Sequence, residues 1–77
     1  MYLFIHITQI GGFIKNVDTL PTKLKATADS LLKKTKDEAI GADQKDGNIY
    51  YTSMIYIEEG MEITIKETKH TLLVRKL

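Results

Sequence analysis

The chain has no cysteine and no tryptophan, one proline, one arginine and no long apolar run. Without thiols there is no disulfide framework, no cysteine-ligated zinc site and no thiol nucleophile. Secreted domains of this size ordinarily depend on such staples. The expected setting is therefore the cytoplasm, or the host cytoplasm or virion if the chain is phage-encoded. No stretch approaches the ~20 apolar residues that span a bilayer, so no membrane association is expected. Charge of one sign is missing too: 11 Lys and Arg stand against 10 Asp and Glu, a formal net charge of +1. Duplex-DNA binders carry a clear basic excess, and polybasic docking to anionic lipid needs one as well.

What is present is an ordinary globular mixture, 43% hydrophobic and 27% charged, in 77 residues. That length holds one small domain, spanning 1–77. Usage rich in Lys and Ile and poor in Arg points to an AT-rich genome, in keeping with a phage or plasmid origin. The apolar N-terminus has no positively charged region before it and contains His6, Thr8 and Gln9. Gly11-Gly12 is followed by Phe13-Ile14-Lys15, not a small-x-small cleavage site, so a strand is expected there and not a signal peptide.

Residues 2–10 are rich in aromatic and β-branched types and end at Gly11-Gly12, the profile of a strand entering a hairpin. Phe13 to Val17 then reads as a short return strand, with a bulged loop as the alternative. Asp18 to Thr22 is expected to open a helix, with Pro21 in its first turn. Leu20, Leu24, Ala28, Leu31, Leu32, Thr35 and Ala39 recur at three- and four-residue spacing and form one apolar stripe. Asp29–Lys33, Lys33–Asp37 and Lys34–Glu38 are i,i+4 pairs of opposite sign, and Gly41 offers a C-terminal cap. Ala42 to Asn48 reads as a connector ending in the Asp46-Gly47 turn. Ile49 to Ile57, Met61 to Lys66 and Thr71 to Lys76 read as three strands, joined by turns at Glu58-Glu59-Gly60 and Glu67 to His70. The expected fold is α+β: one amphipathic helix on a mostly antiparallel sheet, in the order ββαβββ or βαβββ.

Side chains alternate faces along a strand. Leu3, Ile5 and Ile7 share one face of the first strand. Ile49, Tyr51, Ser53, Ile55 and Ile57 share a face of the third, and Ile63 and Ile65 a face of the fourth. These aliphatic sets are expected beneath the helix stripe. The other face then carries Tyr2, Phe4, His6, Tyr50, Met54 and Tyr56, which one helix cannot also cover. Six such residues left open would forgo on the order of 10 kcal/mol, as much as the net stability of a domain.

Enzyme chemistry finds no footing. His6 and His70 have no thiol or second imidazole at metal-ligand spacing along the chain. His6 reads as a packed strand residue and His70 as a solvated turn residue, so no metal or cofactor is expected. Ser30 and Ser53 lack a nucleophile-elbow context. Asp43 to Asn48 fails as a calcium loop, because Ile49 falls where glycine is needed. Glu58, Glu59 and Glu62 flank a turn, where they act as solvating charges. Gly11-Gly12 has none of the pattern of a phosphate cradle.

The function expected is a non-catalytic protein-interaction module, a small subunit, inhibitor or regulator. Its partner-binding residues are Tyr2, Phe4, His6, Tyr50, Met54 and Tyr56, and a homodimer stacking this aromatic face is its simplest form. The alternative is a single-stranded nucleic-acid binder that stacks bases on the same rings. A third reading leaves the face half-exposed, with amphipathic tyrosines tolerating water.

Overall fold

A computed structural model describes residues 1–45 and 52–77. Two long strands come first, β1 (Tyr2–Ile10) and β2 (Phe13–Thr22), followed by the helix α1 (Lys25–Lys45). Three more strands follow: β3 (Thr52–Ile57), β4 (Gly60–Ile65) and β5 (Thr68–Lys76). All neighbouring strands are antiparallel and form one five-stranded sheet in the order β2-β1-β5-β4-β3. The fold is α+β, ββαβββ, as the sequence pattern indicates.

Gly11 and Gly12 both take positive φ, 57° and 86°, as a two-residue hairpin loop with the right-handed strand twist requires. β1 and β2 pair from Tyr2↔Thr22 to Ile10↔Phe13, and a bulge near the hairpin leaves Lys15 without a partner of its own. The return strand is thus twice as long as expected, and residues 18–22 belong to it and not to the helix. Pro21 is accommodated because β2 is an edge strand, where a missing N–H costs no ladder bond. Thr22 Oγ1 then donates to the Leu24 carbonyl at 3.0 Å, and the Ala28 amide bonds the same carbonyl at 3.3 Å, starting the first helical turn.

Gly41 does not cap the helix, which continues to Lys45. Its carboxylates pair as Lys25–Asp29 and Lys36–Asp37, both at 3.8 Å, instead of at the spacings the sequence offers between Asp29 and Glu38. The expected turn at Asp46-Gly47 and the expected strand start at Ile49 lie outside the described residues.

The helix lies over the central strands β1 and β5, with lesser contact to β2 and β4. Ala28, fully buried, brings its backbone close to the sheet, and Leu31 and Leu32 pack beside it. Beneath them the core is Phe4, Met61, Ile63, Leu72 and Val74. The sheet register explains this set. Phe4 stands opposite Val74, Met61 opposite Leu72, and Ile63 opposite His70. Residues directly opposite share a face. Phe4, Met61, Ile63, Leu72 and Val74 therefore lie on one side, and that side faces the helix.

Candidate interaction surface and the histidine pair

This register overturns the expected faces of β1 and β3. The even-numbered residues of β1, Tyr2, Phe4, His6 and Thr8, lie under the helix, and Leu3, Ile5 and Ile7 lie on the uncovered side. In β3, Met54 and Tyr56 share the side of Ile63 and Met61, whereas Ile55 and Ile57 face away. The assignment for β4 holds: Ile63 is fully buried in the core and Ile65 packs against it.

The six residues expected to bind a partner are thus dispersed. Phe4 is only 7% exposed and belongs to the core. Tyr2 packs against that core and lines a groove beside Leu32 and Val74 at the start of the helix. His6 is half-buried on the same side. Met54 and Tyr56 are exposed, because the helix does not extend over β3. Tyr50 lies outside the described residues. Among the described residues, the side away from the helix carries no aromatic ring, so the ring platform that base stacking needs is missing there.

That side instead carries aliphatic side chains in successive rows across the strands. One row runs Thr19, Ile5, Leu73, Gly60 and Ile57, and the next runs Val17, Ile7, Thr71, Glu62 and Ile55. Leu3 and Pro21 extend the apolar area at one end beside Arg75, and at the other end the row of Gln9, Lys69, Thr64 and Ser53 is polar except for Ile14 on the edge strand. Its charges are paired internally: Lys69 meets Glu62 at 3.3 Å, and Arg75 meets Glu59 at 3.7 Å. An apolar centre with a polar rim is the anatomy of a protein–protein contact. Alternation in β1 could not reveal this, since both of its faces are apolar.

On the helix side the sheet assembles a group that sequence spacing hides. His70 does not sit in a turn. It lies within β5, directly opposite Thr8 and diagonal to His6. His6 Nε2 and His70 Nδ1 are 3.0 Å apart, with ring centroids 5.2 Å apart and the rings tilted by 34°. One nitrogen carries the proton and donates to the lone pair of the other. Thr8 Oγ1 lies 3.4 Å from the same His6 nitrogen. Asp18 stands opposite His6 on β2, and its carboxylate accepts a bond from Asn16 Nδ2 at 2.8 Å. Burial holds both imidazoles below their usual pKa. The Asp18 carboxylate works against this at His6, whereas His6 itself adds to the lowering at His70.

The chain matches no protein-family model, and comparison with the curated proteins and with the solved structures finds no match either. Among the described residues, no helix is long and apolar enough to cross a membrane.

Proposed function

We propose that the protein is a non-catalytic interaction module that self-associates by stacking the uncovered sheet face of one copy on that of another. The observation that supports this reading is the aliphatic band of Leu3, Ile5, Ile7, Leu73, Ile55 and Ile57 on the side the helix does not reach. Full burial of an exposed large aliphatic side chain is worth about 1.5–3 kcal/mol. Ile55 is exposed and the other five are half-buried, so each gains a part of that and the band as a whole favours a second layer. The core offers little to set against that drive: six buried hydrophobic residues among those described.

Area and charge favour a second copy as the occupant. Five strands about 4.8 Å apart, with about four rows of side chains, give a face of roughly 600 Å². Two such faces total about 1,200 Å², at the lower end of what specific interfaces bury. The Glu62–Lys69 and Arg75–Glu59 pairs neutralise each face from within, so identical faces meet without like-charge repulsion. A twofold axis closes the assembly, as in an aligned β-sandwich.

Light scattering coupled to size exclusion tests the reading. The intact chain is expected at twice its 8.8 kDa mass. Ile5→Glu and Leu73→Glu should each give the single-chain mass with the helical far-UV signal retained. Tyr56→Glu, on the other side of the sheet, should stay dimeric. A wild-type chain that runs at 8.8 kDa at every concentration defeats the proposal.

A further inference from the structure

The His6–His70 pair is not explained by the stacked face, which lies on the opposite side of the sheet. We propose that these two imidazoles form a binding site for a divalent transition-metal ion that favours nitrogen ligands, with Cu²⁺ or Ni²⁺ the best fit. The inference is independent of self-association, and it rests on where the sheet register places the two rings.

Imidazole nitrogens ligate such ions at about 2.0–2.1 Å. Two ligands at that distance lie about 2.9 Å apart when they subtend a right angle, and about 3.3–3.4 Å apart at a tetrahedral angle. The separation of His6 Nε2 and His70 Nδ1, now set by their hydrogen bond, is 3.0 Å, so a shift of a few tenths of an ångström reaches either value and the right-angle one is nearer. Square-planar and tetragonal coordination by nitrogen and oxygen is what Cu²⁺ and Ni²⁺ prefer. The Thr8 hydroxyl, 3.4 Å from His6 Nε2, adds a neutral oxygen beside the pair, and water completes the shell.

The strands hold the nitrogens in place, so little ordering is needed on binding. His6 and His70 project from adjacent, fully paired strands at the centre of the sheet. Binding replaces the single hydrogen bond between them. The imidazole that donated it moves its proton to its other ring nitrogen, so both lone pairs face the metal and no proton is released. Access is from the β2 side, where Asn16 and Asp18 are exposed. Asp18, opposite His6, adds a negative charge on the β2 side without joining the two imidazoles as a ligand. No three His, Cys, Asp or Glu residues gather as a ready-made metal cluster among the described residues, so the site supplies two protein nitrogens and leaves other positions open. An ion held in this way can still take a further ligand.

The test is titration of the intact chain with CuCl₂ and NiCl₂, followed calorimetrically, with electron paramagnetic resonance of the Cu²⁺ form. The expected result is one ion per chain and nitrogen hyperfine coupling from two imidazoles. His6→Gln and His70→Gln should each weaken binding by at least the roughly 10- to 100-fold that loss of even an outer-shell partner costs. Wild-type resonance counts the nitrogens directly, so the test stands even if a variant fails to fold. No saturable binding, coupling to fewer than two imidazoles, or affinity unchanged in both folded variants overturns the proposal.

Discussion

Phe4 and Ile5 are neighbours in β1 with opposite surroundings: one ring sits under the helix, and one aliphatic chain faces away from it. Phe4→Ala should cost about 3–5 kcal/mol, the usual penalty for emptying a packed aromatic site, read as a lower urea midpoint. Ile5→Ala should cost the isolated fold much less and act on association instead. The sequence could not rank the two, because Tyr2-Leu3-Phe4-Ile5 is apolar at every position and period-two alternation has nothing to sort. At His6 and His70 the barrier to reading was separation, since residues that hydrogen-bond in the fold stand 64 positions apart in the chain. Their lowered pKa gives a testable sign. As pH falls below about 6.5, the unfolded chain takes up protons before the folded one does. Stability is therefore full above that value and is lost as pH falls through the lower folded-state values. Urea midpoints measured across this range with a chelator present should show the decline, and His70→Gln should flatten it.

At the scale of elements, much was legible. The Gly11-Gly12 hairpin, the stripe from Ala28 onward and the β4 alternation of Ile63 and Ile65 against Glu62 and Thr64 all read correctly, because each pattern has one solution. The helix start did not, since Pro21 suits both a first helical turn and an edge strand, and only β2's position at the edge decides between them. The turn glycines separate two kinds of constraint. Gly11 has positive φ and open space around its Cα, so Gly11→Ala should cost about 1–2 kcal/mol through backbone strain alone. Gly60 has no positive φ, but a Cβ there would overlap the Leu72 carbonyl oxygen and crowd the Leu73 backbone. Gly60→Ala should therefore disturb the β4–β5 register and lower the thermal midpoint more than Gly11→Ala does. Equal losses at both sites would contradict that distinction.

For the whole molecule, the deciding feature is a count of layers. One helix over β1 and β5 makes a two-layer domain with a small core, and the other side of the sheet keeps its aliphatic rows. That one face would go uncovered was readable from a single helix beside five strands. Which face it was depended on strand order: β5 pairs with both β1 and β4 and so transmits the parity of Ile63 and Met61 to Phe4. The most direct test is an isotope-filtered NOE experiment on a mixture of methyl-labelled and unlabelled chains. Stacking of the uncovered faces is expected to give intermolecular cross-peaks on the methyls of Leu3, Ile5, Ile7 and Leu73, and none on Ile63 or Leu72. Absence of cross-peaks on those four residues, or cross-peaks confined to Met54 and the helix side, would contradict it.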